Sequence, residues 1–244
     1  MKPYLVFRLY GALASWGVSA VGGDRPTAVQ PTRSALLGLL ASGLGIERDK
    51  EDELQALQQS VQLAVKQTVP SALMRDYQTA QVPTHSNKIN HLTRKSELEV
   101  DKLNTVLSSR DYRCDAVWIV AVSLTSSASF TLEQLQQGLL KPVYSLYLGR
   151  KSCPLAVPVQ PKIIEVVLLK DALDTEFPPL TRSEKEDKLW LNSSGWVTYF
   201  WEGDKHAFES QQIITTHPWD EPVNRQRWQF KQRSMHQLSV KEDA

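Results

Sequence analysis

Three short stretches of this chain hold the residue types that grip a polyanion. The first runs Gly23-Asp24-Arg25-Pro26-Thr27-Ala28-Val29-Gln30-Pro31-Thr32-Arg33-Ser34 and leads into the apolar run Ala35-Leu36-Leu37-Gly38-Leu39-Leu40. The run reads as a helix with Thr32 as its cap, stopping at Gly45, and two prolines stiffen its approach. The first N–H groups of a helix have no partner within it. Hydroxyls and guanidiniums gathered there suit a phosphate, which makes Arg25, Thr32, Arg33 and Ser34 candidates. The second stretch is Tyr144-Ser145-Leu146-Tyr147-Leu148-Gly149-Arg150-Lys151-Ser152-Cys153-Pro154. Here Tyr147 offers a ring for base stacking, and Gly149, Arg150, Lys151 and Ser152 offer a tight turn with cations for a backbone. The third is Arg225-Gln226-Arg227-Trp228-Gln229-Phe230-Lys231-Gln232-Arg233, with Arg225 and Arg227 at its head. Taken singly, each reads more simply as a capped helix, a basic turn tip or an amphipathic edge. Together, in a chain of formal net charge +1, they point to a localised anionic site and not to a uniformly basic surface.

Other chemistries find no anchor. Gly149-Arg150-Lys151-Ser152 is not a P-loop, because Arg150 stands where glycine must precede the lysine and Ser145 holds the upstream glycine place. Cys114 and Cys153 are far apart, and His85, His91, His206, His217 and His236 show no zinc-ligand spacing, so no metal or other cofactor is expected. No GxSxG elbow is present. Two cysteines make no disulfide framework, which points to a reducing cytoplasm. No apolar run reaches the roughly 20 residues of a membrane helix, and the amino terminus reads as a strand and not as a signal peptide.

The elements that must position these residues follow from periodicity. The chain has 244 residues, 41% of them hydrophobic, which is ample for a sizeable core. Tyr4 to Leu9 alternates and reads as a strand, followed by a small-residue loop around Trp16. Asp52 to Ser60 reads as a helix, and Val61 to Lys66 and Arg75 to Thr79 as strands. From Ala80 to Arg110 no period persists, which suggests a functional loop, an extended hairpin or disorder. Tyr112 to Leu124 is the strongest strand, Thr131 to Leu140 a capped helix with Leu132, Leu135, Leu139 and Leu140 on one face, and Lys162 to Leu169 a further strand. This order is that of an α+β, ferredoxin-like (RRM-like) domain over residues 1–170 with an insertion near 80–110. Asp171 to Asp187 reads as a charged linker. Leu189-Trp190-Leu191 and Trp196 to Trp201 read as a hairpin that opens a smaller β-rich region over 188–244.

The ordered set Tyr4-Leu5-Val6-Phe7-Arg8-Leu9, Ser15-Trp16-Gly17, Arg25-Pro26-Thr27 and Pro31-Thr32-Arg33-Ser34-Ala35-Leu36-Leu37-Gly38 resembles the CasD-type subunits of type I-E CRISPR Cascade complexes. The resemblance continues through Arg75-Asp76-Tyr77, Cys114-Asp115-Ala116, Leu140-Lys141-Pro142, Tyr147 to Leu155 and Asp220-Glu221-Pro222. It implies a ferredoxin-like domain with an inserted thumb over about 80–110, and it adds Arg75 to the RNA-binding set. It further implies a non-catalytic, cytoplasmic subunit that caps the 5′ handle of the crRNA. Its partners would be the crRNA, the complex's backbone subunit and its large subunit, with target DNA engaged only through the complex and no membrane involved. Sequence would then be read by base pairing and not by this chain. Related subunits of the type I-C branch cut repeat RNA without metal, using acid–base groups on the RNA's own 2′-OH. The only Lys-His dipeptide here, Lys205-His206, lies outside the ferredoxin-like part and reads as a surface pair.

Overall fold

The computed structural model describes residues 1–20, 22–84, 90–191, 195–224, 227 and 229–241. Its first strand, β1 (Lys2–Tyr10), has Leu5, Phe7 and Leu9 in one apolar cluster and Tyr4 and Val6 in another, so the strand is buried on both faces. Two short strands, β2 (Leu13–Ala14) and β3 (Asp24–Arg25), precede helix α1 (Arg33–Leu44). The helix ends at Gly45, whose φ of 77° lies in the left-handed region that glycine takes without strain. Helix α2 (Glu51–Ser60) then feeds β4 (Val61–Val69).

The patternless stretch is an extended hairpin. Strand β5 (Ala72–Pro83) and strand β6 (Leu103–Cys114) pair from Ala72↔Cys114 to Pro83↔Leu103, and the short helix α3 (Arg94–Leu98) lies at the far end. Nearly all of β5 is solvated, so no face had to carry an apolar period. The stretch Tyr112 to Leu124 is not one strand. Asp115, at φ 56°, breaks it, so that β6 stays with the hairpin and β7 (Val117–Leu124) enters the main sheet.

Helix α4 (Leu132–Leu140) carries a capping box between Thr131 and Gln134, and buries Leu132, Leu135 and Leu139 while leaving Leu140 half exposed. Strand β8 (Lys162–Val166) stops short of Leu169, which opens helix α5 (Leu169–Leu173). The expected linker is packed: Ala172 and Leu173 are fully buried. Leu189 and Trp190 lie in helix α6 (Glu184–Trp190), so they form no hairpin arm, and Asn192 to Ser194 lie outside the described residues. Strand β9 (Trp196–Trp201) instead pairs with β4 on one side and with β13 (Met235–Lys241) on the other. A 3-10 turn (Lys205–Ala207) and β10 (Ile214–Thr216) lie between β9 and the small hairpin β11 (Glu221–Asn224) and β12 (Gln229–Lys231).

The main sheet has seven strands in the order β10-β13-β9-β4-β7-β1-β8, and every described pairing in it is antiparallel. The C-terminal strands β9, β13 and β10 therefore extend the sheet built by residues 1–170. Helices α1 and α4 cover one face, where Leu36, Leu37 and Leu40 meet Leu132, Leu135 and Leu139. The two helices cross closely at Gly43 and Gly138, and a Cβ on Gly43 would stand 2.7 Å from the Gly138 carbonyl oxygen. The opposite face is closed by α5, Phe177 and Phe208.

Candidate nucleic-acid interface

The root of the β5–β6 hairpin gathers cations. Strand β6 pairs with β5 on one edge and with β2 and β3 on the other. Residues opposite each other across a ladder share a face, so register sorts the side chains. Arg25 lies beside Arg110, and Tyr112 follows two residues on, so these three share one face. Asp111 and Arg113 lie on the other, with Arg75 opposite Asp111.

Arg150 joins the first face from a different loop. Its guanidinium lies 5.0 Å from the centre of the Tyr112 ring, and its Nη2 donates to the Arg25 carbonyl at 3.2 Å. The loop is pinned beneath it. The Ser15 N–H donates to the Leu148 carbonyl (2.9 Å), and the Leu148 and Cys153 N–H groups donate to the Cys153 and Arg150 carbonyls (both 2.8 Å). Gly149 has φ 83°, and a Cβ there would stand 1.9 Å from the Ser15 carbonyl oxygen. Only glycine fits this contact. Lys151 and Ser152 are exposed at the turn, and Tyr147 is half-buried in a bridge to Pro154. Trp16 is buried edge-on against Trp118, with ring centres 5.2 Å apart, and is core.

On the other face Arg75 donates to both Asp111 carboxylate oxygens, at 2.7 and 2.9 Å. This hydrogen-bonded pairing holds the Asp111 carboxyl below its usual range. Arg113 donates to the Ala28 carbonyl (3.1 Å), and burial lowers its pKa. Arg75 is therefore a cross-strand clamp on the face opposite Arg25 and Arg110.

The start of α1 is different. Thr32 makes no side-chain cap, and its hydroxyl lies 3.3 Å from that of Ser34. The Arg33 N–H donates to Asp220 Oδ2 at 2.8 Å. The anion that the helix terminus attracts is thus a carboxylate of the chain itself. Arg33 is buried, with Nη1 2.6 Å from Glu202 and Nε 2.5 Å from Glu221. Arg233 closes the group, 2.6 Å from Asp220 and 3.2 Å from Glu202. Two residue sets that the resemblance had matched 187 positions apart meet here, which explains both without RNA. Arg33 faces inward, where Nη1 donates to Glu202 and Nη2 to the Gln58 carbonyl at 2.7 Å and the Val61 carbonyl at 3.3 Å. Arg225 lies outside the described residues. Arg227 is exposed, and its N–H donates to Asn224 Oδ1 at 2.8 Å.

RNA-recognition domains stack bases on the open face of their sheet. Here that face is buried: Tyr4, Val6, Ile119 and Tyr199 lie beneath the segment that carries α5. Asp174 of that segment accepts from Lys66 Nζ (2.8 Å) and the Tyr199 hydroxyl (2.7 Å). The sequence reading missed Arg110, Asp111, Tyr112 and Arg113. The alternation Arg110-x-Tyr112 is the available signal, masked because the residues from Tyr112 to Leu124 read as one strand. Among the described residues no group of three His, Cys, Asp or Glu side chains is set to hold a metal ion, and no helix is long and apolar enough to cross a membrane.

Fold and site together define an α+β protein built on a large antiparallel sheet, with a basic hairpin root beside it. The family model of the CRISPR-associated protein (Cas_Cas5) matches residues 4–236, and the chain belongs to that family. It is 40% identical over 167 residues to the CRISPR system Cascade subunit CasD of Escherichia coli (strain K12), covering 65% of this chain and 70% of the relative. Its fold matches a chain of a CRISPR RNA-guided surveillance complex with a TM-score of 0.64, at 23% identity over 97% of this chain and 89% of the other. A crystal structure of a Cas protein matches with a TM-score of 0.58, at 22% identity over 98% and 95% of the two chains.

Proposed function

We propose that this chain is a non-catalytic RNA-binding subunit of a type I-E Cascade surveillance complex, capping the 5′ handle of the crRNA. The observation that carries this reading is the convergence of Arg25, Arg110 and Arg150 on one face of the hairpin root, with exposed Lys151 and Ser152 beside them. Such a cluster suits a short single-stranded backbone. The likeness to a Cascade subunit supports the assembly. The strand order β4-β7-β1-β8, with α1 and α4 on one face, supports a ferredoxin-like core. The β5–β6 hairpin is then the thumb, reaching along the first guide bases. In this reading the subunit works in the cytoplasm and joins the complex's backbone and large subunits. Target DNA is met only through the complex.

The test is co-expression with the other Cascade subunits and a repeat–spacer array. Incorporation of the chain with a nuclease-protected 5′ handle supports the capping role. An assembled complex whose handle is unprotected would sink it. Cleavage of repeat RNA by the purified chain alone would establish the endoribonuclease reading in its place.

A further inference from the structure

We infer that Arg150 is a positioning residue: it locks the Gly149 loop to the hairpin root and so aims the exposed cations, without itself gripping the RNA backbone. The inference deepens the proposed RNA-binding role and rests on it. The guanidinium is spent on the chain. One face lies on the buried Tyr112 ring, and Nη2 is held by the Arg25 carbonyl. Nη1 is buried and finds no hydrogen-bond partner among the described residues. Nη1 is thus turned into the chain, and the part-exposed Nη2 is already held by a carbonyl, so neither end of the fork is presented to a phosphate. Its place is nevertheless over-determined. Gly149 beneath it is wedged against Ser15, and Ser15 Oγ donates to the Asp111 carbonyl at 3.0 Å. Loop, β3 and β6 therefore meet through one side chain. Arg25 and Arg110, exposed at the same place, take their direction from it, and Lys151 follows it directly in the turn.

A charge contact and a latch respond differently to a charge-conserving change. A lysine at this position keeps the positive charge but has neither the planar face for Tyr112 nor the fork that reaches Arg25. The experiment measures binding of a synthetic single-stranded repeat RNA to the full chain across a salt series, together with hydrogen exchange of residues 22–28 and 108–114. We expect Arg150→Lys and Arg150→Met to weaken binding alike, by roughly tenfold, the scale of one cation–π contact plus one hydrogen bond. The salt slope should stay at the wild-type value in both, and exchange at the root should quicken in both. Lys151→Ala should instead lower the slope by about 0.7, as for one lost contact to a single strand, with exchange unchanged. Tyr112→Phe, which keeps the ring, should behave as wild type. Rescue by Arg150→Lys, or a lowered slope in Arg150→Met with unchanged exchange, would make Arg150 a direct backbone contact and overturn the inference. If the wild-type chain binds no RNA, the RNA-binding reading fails. The latch is then decided by exchange alone: unchanged protection in both Arg150 variants refutes it.

Discussion

Arginines do opposite work in two regions of this molecule. Around the start of α1, the buried Arg33 and the largely covered Arg233 sit among Asp220, Glu202 and Glu221, so acids outnumber bases and the charges are matched within the chain. At the hairpin root, Arg25, Arg110 and Arg150 share a face whose ring partner, Tyr112, brings no charge. A guanidinium is always charged, so its surroundings decide its role. Where carboxylates match it, it is a structural clamp. Where they do not, it is either latched on a ring and a carbonyl, as Arg150 is, or turned outward toward an external anion, as the exposed Arg25 and Arg110 are. The difference can be broken from either side.

The largest effect is expected at the buried group. Arg33→Met removes the cation that Glu202 and Glu221 share and leaves Glu202 only Arg233. Removal of one partner from a buried ion group costs about 3–5 kcal/mol. Chemical denaturation should read a loss of this size, and adding Glu202→Gln and Glu221→Gln to the same chain should recover part of it. A loss below about 1 kcal/mol would mean the group is far more solvated than its burial states.

Next is Gly149→Ala. The methyl would stand against the Ser15 carbonyl in a backbone conformation that disfavours any side chain, at a cost of about 1–3 kcal/mol. RNA affinity should fall as well, because the loop leaves the root. Stability loss without any change in binding would detach the loop from the site.

The exposed cations invert this pattern. Arg25→Ala and Arg110→Ala should each change stability by less than about 0.5 kcal/mol, as surface substitutions do. Each should lower the salt slope of RNA binding by about 0.7. A larger stability loss than binding loss would move them into the class of Arg33.

These contrasts mark how far the sequence was readable. α2 and α4 follow from period and, in α4, a cap, because each buries one apolar face, while β1, α1, β4 and most of β7 follow from dense apolar runs bounded by turn residues, because they lie in the core. The β5–β6 hairpin projects into solvent, buries little along β5, and so left no period to read. α6 was misread because Leu189-Trp190-Leu191 carries strand-type residues, while Ser183, whose hydroxyl accepts from the Glu186 N–H, caps a helix through them. The site was legible in part. Arg25, Arg150 and Lys151 announced themselves through local clustering. Arg110 needed the register of β3 on β6, a pairing across 85 positions that no local pattern encodes. Arg33 looked like Arg25 in the sequence, because what separates them is Asp220, Glu202 and Glu221, brought in from the far end of the chain.

The smallest expected effect concerns acid, and it tests whether the cover over the main sheet is electrostatically fastened. Asp174 lies in the segment that closes the outer face. Burial raises its pKa, but hydrogen bonds from Lys170, Lys66 and Tyr199 outweigh burial and hold it below the usual carboxylate value. The ionised form is thus favoured more in the folded chain than in the unfolded one. Its stabilisation is fully present above the unfolded value of about 3.9 and drains away as pH falls through the lower folded value. Unfolding curves between pH 6 and pH 3 should steepen toward the acid end in the wild type and flatten in Asp174→Asn, with the two converging at the lowest pH. If the curves run parallel throughout, the cover is held by Ala172, Leu173 and Phe177 alone, and its carboxylate is incidental.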